Sequence, residues 1–396
     1  MSTRCPSCFV DLIGRFALRC TNHLCGKVVD PVTSRHVGRD VPGHRVMELG
    51  TPPPGYRGVP FANCATCGEP TGKQVCPGCH SDLPDGWRDC VTTCLVMAGA
   101  RASGKSIYIA VLKRQAELLA EAMGGALTFF DAYTRETYLR AYQEPLYEQR
   151  QLVQATPAHH TPAAPQRQAL IFRMGMVQGR QHLLVVRDVA GENLEDATVD
   201  PVTFSFFQGA DAIAFLFDPT RIARVRQQLA GVIPDQQAIG GDPLLVLDNL
   251  IRILQGGAAV RSGKTSTPLA VVLAKFDALV ELTKIEGGTA LGALVDNPGA
   301  AFNRDPSLDE VEWDAADSDL LAAEVDSLLQ RLDARSLLNT VTETFETSRL
   351  FAVSALGSAP ATGSDVGARG IAPFRVLDPL KWAMTLSGAL TSSAAT

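Results

Sequence analysis

The sequence predicts an α/β protein with a mostly parallel sheet between two layers of helices, preceded by two small cysteine-rich modules. Two observations lead to this prediction. From about residue 90 onward, apolar segments of strand length alternate with segments of helix length, which is the signature of an α/β sheet. All ten cysteines of the 396-residue chain lie at or before position 94, so the N-terminal part has a different character.

The composition is that of a globular protein and disfavours several function classes. Hydrophobic residues make up 46% and charged residues 20% of the chain, and the formal net charge is −6. This charge disfavours a protein that binds nucleic acid or a membrane over its whole surface. The sequence has no apolar run of the length that a membrane helix needs and no apolar N-terminal core of a signal peptide. We therefore expect a cytoplasmic protein without a membrane span.

Residues 90–383 are expected to form the α/β domain. Its predicted strands are a hairpin of 168–175 and 182–189 and the buried segments 92–99, 211–218, 269–277 and 349–356. A helix is predicted over 104–123, a further strand over 125–133, and a largely helical segment over 134–152. We interpret 125–152 and 287–318 as insertions and 384–396 as a flexible tail.

The N-terminal part is predicted to contain two zinc ribbons, at 1–32 and 61–89, joined by a linker over 33–60. The thiolates expected in the first are Cys5, Cys8, Cys20 and Cys25, and those in the second are Cys64, Cys67, Cys76 and Cys79. Four thiolates suit a tetrahedral zinc ion, and a two-residue gap lets one tight turn direct both sulfurs at it. His23 is an alternative ligand in the first ribbon. A thioredoxin-like redox role is disfavoured because neither pair lies at a strand-to-helix turn.

The segment GARASGKS matches the pattern GxxxxGK[ST] between a predicted strand and a predicted helix. In such a loop the glycines let backbone N–H groups surround phosphates, the lysine reaches the terminal phosphates, and the serine ligates Mg²⁺. The sequence therefore predicts a nucleotide phosphate site with Mg²⁺. The residues expected to contact the nucleotide are Gly99, Ala102, Ser103, Gly104, Lys105 and Ser106.

Polar residues follow three further strands of the predicted domain. Asp188 ends one strand, where it can hold Mg²⁺ through water, and Gly191 follows it with an amide that can sense a γ-phosphate. Asp277 can accept two hydrogen bonds from the N–H groups of guanine, and the stem of Lys275 would lie flat over the base. Ser354 and Ala355 end the last strand, where the Ala355 amide can donate to the guanine oxygen. Ligands bind at this carboxyl edge of α/β sheets, so the sequence indicates GTP and GDP.

With these motifs in order, residues 90 to about 383 resemble a P-loop GTPase of the translation-factor-related (TRAFAC) class. GARASGKS, DVAG, AKFD and SAL correspond to its first, third, fourth and fifth motifs. The N-terminal cysteine modules, the DVAGE variant and the closing PFRVLDPLKW are more specifically similar to the double-GTPase families of bacteria. This resemblance implies a three-layer P-loop NTPase sandwich. It also implies a place in bacterial multi-gene systems of conflict or signalling, with a second GTPase as one conceivable partner.

The resemblance also implies catalytic residues, which we expect to be Lys105, Glu192, Arg101 and Thr161. Thr161 is the preferred switch threonine, which closes over the γ-phosphate and Mg²⁺, because it is nearer than Thr156 to the strand at 168. Glu192 stands where a water-orienting glutamine is usual. Arg101 either stabilises charge in the transition state or extends into solvent. Ala274 replaces the usual Asn or Thr that opens the base motif, which removes a hydrogen bond to the phosphate loop.

These observations favour a GTPase switch that docks a protein partner, and two alternatives stay open. One is an ATP-hydrolysing P-loop protein in which AKFD is coincidental. The other is a scaffold that binds nucleotide without turnover and uses its ribbons on protein or nucleic acid. Residues 1–89 contain ten Lys/Arg and eight Asp/Glu, a charge of +2, so they lack the basic stripe of a nucleic-acid reader.

Overall fold

The computed structural model describes most of the chain, namely residues 2–50, 61–153, 168–196, 201–233, 241–256, 260–261, 263–284, 290–359, 366 and 370–393. Among these residues, none of the helices is both long and apolar enough to cross a membrane.

The N-terminal part consists of short elements. In chain order they are β1 (Phe16–Arg19), β2 (Val28–Val29), α1 (Pro31–Val37), β3 (Pro42–Gly43), β4 (Val46–Leu49), β5 (Ala62–Asn63), β6 (Pro70–Thr71) and β7 (Gln74–Val75).

Longer strands and helices alternate in the rest of the chain, as the sequence predicts. The first half contains β8 (Val91–Ala98), α2 (Lys105–Ala122), β9 (Thr128–Phe129), α3 (Ala132–Tyr138), a π-helical segment (Leu139–Glu148), β10 (Leu170–Val177), β11 (Arg180–Asp188), α4 (Gly191–Glu195), β12 (Ala212–Phe217), α5 (Ala223–Leu229) and α6 (Pro243–Gln255). The second half contains β13 (Val260–Arg261), β14 (Lys264–Thr265), β15 (Leu269–Leu273), α7 (Phe276–Val280), α8 (Ala290–Val295), β16 (Trp313–Asp314), α9 (Ala315–Arg331), α10 (Arg335–Thr344), β17 (Ser348–Ala352), α11 (Asp378–Ser387) and β18 (Ser392–Ser393).

A seven-stranded sheet forms the centre of the α/β domain, with strand order β17-β15-β12-β8-β11-β10-β9. The five strands from β17 to β11 run parallel, whereas β10 is antiparallel to both β11 and β9. The hairpin between β10 and β11 turns at Gln178 and Gly179, which both have positive φ. Such a two-residue turn matches the twist of paired strands. The predicted, mostly parallel sheet is confirmed.

Hydrophobic cores cover both faces of this sheet and make the three-layer sandwich. Along β8, Cys94 and Val96 lie in a core that α6 and α9 complete, whereas Leu95 and Met97 lie in a core that α2 and α11 complete. Successive side chains of a strand point to opposite faces, so a strand that is covered on both sides is buried along its whole length. This explains why all eight residues of β8 are buried.

The N-terminal residues form one interleaved module, which corrects the prediction of two consecutive ribbons. β1 pairs antiparallel with β4 on one side and with β7 on the other, so segments from both predicted ribbons share one sheet. The predicted linker contains most of α1 together with β3 and β4, and its residues 51–60 lie outside the described residues. The local cysteine pattern does not reveal the long-range pairing of β1 with β7.

Two further segments differ from expectation because apolar side chains anchor them. The predicted tail begins inside α11, where Met384 is buried, and it continues to β18, which pairs with β16. Within the predicted 287–318 insertion, the buried Phe302 ring stacks on Phe276 with 5.0 Å between ring centroids. Both segments therefore contribute to the packed domain.

The N-terminal module packs directly on the α/β domain. The Phe9 ring meets the Phe206 ring edge-on, with 6.2 Å between the centroids. The Arg4 side chain pairs with the buried Asp211 carboxylate at 3.0 Å. A Cβ atom added to Gly209 would lie 2.3 Å from the Phe9 carbonyl oxygen, so only glycine allows this approach of the two backbones.

We expect Gly209→Ala to lower the free energy of unfolding by about 1–3 kcal/mol, as overpacking of a close contact generally does. Gly26 has no heavy atom within 4 Å of an added Cβ, so Gly26→Ala is a matched control that should leave stability nearly unchanged. Urea denaturation of both variants measures the difference. Equal stability of the two variants would contradict the close packing of the module on the domain.

Candidate functional site

The loop between β8 and α2, residues 99–104, is named the phosphate loop here and depends on glycine at its start. Gly99, Ala102 and Gly104 all have positive φ, at 137°, 62° and 96°. A Cβ on Gly99 would lie 2.6 Å from the Leu216 carbonyl oxygen of β12. The 18-residue helix α2 begins directly after this loop, with no side-chain cap. An uncapped helix N-terminus behind a glycine-dependent turn is the arrangement that binds phosphate groups.

Lys105, the first residue of α2, folds back over this loop. Its Nζ donates to the carbonyl oxygens of Gly99 and Ala100 at 2.8 and 2.9 Å and lies 3.5 Å from the buried Ser103 hydroxyl. Burial lowers the pKa of this ammonium group, while nearby carboxylates, Asp188 foremost, act in the opposite direction. A buried cation held by neutral carbonyls is well placed to receive an anion.

The Asp188–Gly191 segment contacts the phosphate loop directly. Asp188 ends β11 and pairs in register with Met97 near the end of β8, so both segments leave the sheet at the same edge. A Cβ on Gly191 would lie 2.2 Å from the Arg101 backbone nitrogen, which explains the glycine at this position. Asp188 and Ser106 are both buried at this edge.

Arg101 and Glu192, both predicted to be catalytic, are partners of each other. The Arg101 Nε lies 3.1 Å from a carboxylate oxygen of Glu192, and both side chains are partly exposed. Neither role expected for Arg101 from the sequence included this ion pair. The pair links the phosphate loop to α4, the short helix that begins at Gly191.

A second carboxylate of α4 also binds the phosphate loop. The Glu195 Oε1 atom accepts from the Arg101 backbone N–H at 2.8 Å and from the Gly241 backbone N–H at 2.9 Å. Glu195 was not predicted, because no sequence motif singles it out. The sequence signal that could have revealed Glu195 is its position four residues after Gly191, on the same short helix.

The residues predicted to read the base come together at the carboxyl ends of β15 and β17. The Ser354 hydroxyl donates to the Asp277 carboxylate at 2.5 Å, and the Gly357 backbone N–H donates to the Ser354 hydroxyl at 2.8 Å. Asp277 is buried, and burial raises its pKa, while the Ser354 hydrogen bond acts in the opposite direction. Ala355 follows Ser354 and is half-buried.

Lys275, which the sequence places over the base, is fixed by an aspartate that the sequence analysis did not single out. Lys275 has a φ of 50°, and its Nζ lies 2.7 Å from the buried Asp218 carboxylate. Asp218 follows β12, so it is a further acidic residue at the carboxyl edge of the sheet. Its place at the end of a predicted strand was the signal that could have revealed it.

Among the predicted site residues, the switch threonine is the one that lies outside the described residues. This holds for Thr161 and for its alternative Thr156, so Thr161 stays a prediction. Instead, the structure brings Tyr142 to this edge, with its hydroxyl 3.0 Å from an Asp188 carboxylate oxygen.

Eight of the cysteines form two groups that could each hold a metal ion, and their membership corrects the sequence prediction. We name the first the inner cluster, formed by Cys5, Cys8, Cys76 and Cys79, and the second the outer cluster, formed by Cys20, Cys25, Cys64 and Cys67. Each cluster thus takes one pair from each predicted ribbon, because β1 pairs with β7. The exposed His23 belongs to neither cluster.

The distances between sulfur atoms fit a tetrahedral metal site. They are 3.5 and 3.7 Å in the inner cluster, and 3.7 and 4.0 Å in the outer cluster. Four thiolates at about 2.3 Å from a zinc ion form a tetrahedron with edges of about 3.8 Å. The inner cluster lies in the hydrophobic core that it shares with the α/β domain, whereas three cysteines of the outer cluster form a small separate core.

A bacterial protein and a small GTPase of known structure are similar to the chain. The bacterial protein, SaeC of Mycolicibacterium smegmatis, is proposed as an ESX-1 scaffolding and assembly protein and is 42% identical over 343 residues that cover 85% of this chain and 86% of the relative. The small GTPase Arl6 of Trypanosoma brucei, solved with the nucleotide analogue GppNp, has 13% identity and a TM-score of 0.27 over 76% of this chain and 99% of its own. A TM-score this low supports no conclusion.

The family model named Double-GTPase 2 matches residues 95–301, which is more than half of the 396 residues. The match includes the phosphate loop, the Asp188–Gly191 segment and Asp277, and it leaves out both cysteine clusters and Ser354. On this match and the 42% identity over most of both chains, the chain belongs to the Double-GTPase 2 family.

Proposed function

We propose that the chain is a cytoplasmic GTP-binding switch that hydrolyses GTP with Mg²⁺ and acts on a protein partner in a bacterial multi-gene system. The observation that carries this proposal is the contact of Asp277 with Ser354, at the sheet edge where β8 ends and the phosphate loop begins. A phosphate loop serves ATP and GTP alike. A buried carboxylate at this edge matches the two N–H donors of guanine, and adenine offers no such pair.

Lys105 supplies the first step of nucleotide binding in this proposal. Its amino group lies near Asp188 and Glu192 and donates to two neutral carbonyl oxygens of the loop. Phosphate oxygens are charged and therefore stronger acceptors than carbonyl oxygens. Lys105 thus exchanges its carbonyl partners for phosphate when GTP binds, without a change in its own burial.

The donor set at the loop fits Mg²⁺. Ser106 in the first turn of α2 offers a hydroxyl and Asp188 at the end of β11 offers a carboxylate, which are the hard oxygen donors that Mg²⁺ prefers. When bound, the ion neutralises charge on the β- and γ-phosphates. Ser106 would bind the ion directly, and Asp188 would hold it through water.

The ion pair of Arg101 with Glu192 favours slow hydrolysis by the chain alone. The Glu192 carboxylate can accept a hydrogen bond from a water molecule, but it cannot donate one to the γ-phosphate. Each side chain is also engaged with the other at 3.1 Å. We therefore propose that a protein partner, such as a second GTPase, separates this pair and accelerates hydrolysis.

A second candidate function is a nucleotide-binding scaffold without turnover. It is favoured by the same ion pair and by the relative that is proposed as an ESX-1 scaffolding and assembly protein. In both candidates the bound nucleotide controls a protein assembly. They differ in whether the chain with its partner releases phosphate from GTP.

We also propose that each cysteine cluster holds one Zn²⁺ ion, with a structural role. Four thiolates close the coordination sphere and leave no open position for catalysis. The turn between Cys5 and Cys8 of the inner cluster also contacts the strand that ends at Asp188, because the Arg187 guanidinium donates to the Ser7 carbonyl oxygen at 2.5 Å. Loss of the inner ion therefore disturbs the α/β domain.

Asp277→Asn tests base recognition. The amide group of asparagine replaces one acceptor with a donor, so GTP affinity should fall by about 100-fold, as expected for the loss of one hydrogen bond to a charged group. Xanthosine triphosphate, which carries an oxygen where guanine has its amino group, should bind the variant better than GTP. Competition against a fluorescent GTP analogue measures both affinities.

Asp242→Asn is the matched control for Asp277→Asn, because it makes the same change at the N-cap of α6, where asparagine also caps well. The control should keep wild-type GTP affinity. If Asp277→Asn keeps its guanine preference, the assignment of GTP as the ligand fails.

Cys76→Ser and Cys64→Ser distinguish the effect of the inner cluster on stability from that of the outer cluster. Each variant should retain about one zinc ion per chain in place of two. Cys76→Ser should lower the unfolding free energy of the α/β domain by about 4 kcal/mol or more, the range reached when a buried metal is lost. Cys64→Ser should leave it nearly unchanged. Urea denaturation, followed by the fluorescence of the buried Trp313 and Trp382, measures this difference. Equal losses would contradict the distinction between the clusters.

A further inference from the structure

The insertion between α2 and β10 places a buried tyrosine on the carboxylate that ends β11. Tyr142 is fully buried, and its hydroxyl donates to the Oδ2 atom of Asp188 at 3.0 Å. The two residues come from distant segments of the chain, since Tyr142 belongs to the π-helical segment Leu139–Glu148. None of the sequence motifs of the site includes this contact.

The position of Tyr142 is fixed by its neighbours. Its ring stacks on Tyr138, with 5.9 Å between centroids and an angle of 14° between the planes. The Tyr138 hydroxyl in turn donates to the Ala110 carbonyl oxygen of α2 at 2.9 Å. The two tyrosines therefore join the insertion to both sides of the nucleotide site, α2 through Tyr138 and β11 through Tyr142.

The segment that carries Tyr142 has an uncommon backbone. It is π-helical over ten residues and contains Pro145. π-Helical turns are rare and are found frequently at functional sites, because they shift side chains out of the α-helical register. Here the shifted segment directs a phenol hydroxyl at the carboxylate of Asp188, which is itself buried.

A hydrogen bond from a phenol fixes a carboxylate in two ways. It sets the rotation of the carboxylate plane, and it stabilises the ionised form because the acceptor is charged. Groups outside the first ligand shell typically change metal affinity by about 10–100-fold when they are removed, and Tyr142 would act on the ion through Asp188, which would hold it through water.

We propose that Tyr142 is a positioning residue that orients Asp188 for the Mg²⁺ ion of the bound nucleotide. The proposal rests on the proposed function, since it requires Mg²⁺ and GTP at the phosphate loop. It makes the insertion part of the nucleotide site. Movement of the π-helical segment would then change how firmly Mg²⁺, and with it the nucleotide, is held.

The chain offers a matched control in Tyr138. Tyr142→Phe and Tyr138→Phe each remove one buried hydroxyl from the same stacked pair, and each removes one hydrogen bond from an acceptor. Only Tyr142→Phe changes the partner of Asp188. A merely structural role would therefore give the two variants the same nucleotide and Mg²⁺ behaviour.

The experiment measures retention of a fluorescent GTP analogue by the full chain across a Mg²⁺ titration and again in EDTA. Tyr142→Phe should need about 10-fold more Mg²⁺ for half-maximal retention. Tyr138→Phe should follow the wild-type curve, and all three proteins should behave alike in EDTA. A Tyr142→Phe curve that coincides with the wild-type curve would overturn the proposal while leaving the proposed function intact. A wild-type protein that retains no GTP at any Mg²⁺ concentration would refute the proposed function and this proposal together.

A second measurement avoids any loss of folding in the variants. Fluorotyrosine introduced at position 142 keeps the hydroxyl and the ring and gives a fluorine NMR signal. That signal should shift when Mg²⁺ is added to the GTP-bound protein, whereas the signal of fluorotyrosine at position 138 should not. A signal at 142 that does not respond to Mg²⁺ would overturn the proposal.

Discussion

The parallel pairing of β8 with β11 determines where the rest of the nucleotide site can lie. It sets Asp188 beside Met97, so the phosphate loop and the segment after Asp188 leave the sheet together and touch where Gly191 meets the Arg101 backbone. The contacts of α4 with the phosphate loop depend on this pairing, since Glu192 and Glu195 both reach the loop from α4. Lys105 folds back over the same loop, and β15 and β17 place the residues proposed to read the base at the same edge of the sheet. A shift of β11 would separate α4 from the phosphate loop.

The N-terminal module is connected to the same end of β11. Its inner cluster lies in the core beneath the sheet, and the Ser7 carbonyl oxygen accepts from Arg187, the residue just before Asp188. On the other face, Tyr142 holds Asp188 from the insertion. The end of β11 is thus held from a cysteine cluster on one side and from a helical insertion on the other. In the proposed switch, a partner that displaced either of these segments would change the nucleotide site.

Residues whose position follows from a strand end were predictable from the sequence. Lys105, Asp188 and Asp277 each follow an apolar segment, and parallel strands bring their ends to one edge by geometry alone. The membership of the cysteine clusters was not predictable, because thiolates are chemically interchangeable and only the long-range pairing of β1 with β7 decides between them. Glu195 and Tyr142 were missed for a related reason, since their partners are set by packing between distant segments. Thr161 lies outside the described residues and stays a prediction.

The proposed function depends on recognition of guanine by Asp277 in the presence of Mg²⁺. Competition of unlabelled GTP and ATP against a fluorescent GTP analogue on the purified full chain measures this recognition. We expect GTP to displace the analogue at a concentration about 100-fold lower than ATP does, because adenine leaves the buried carboxylate without its donors. Equal displacement by ATP would contradict guanine recognition and leave only a phosphate site.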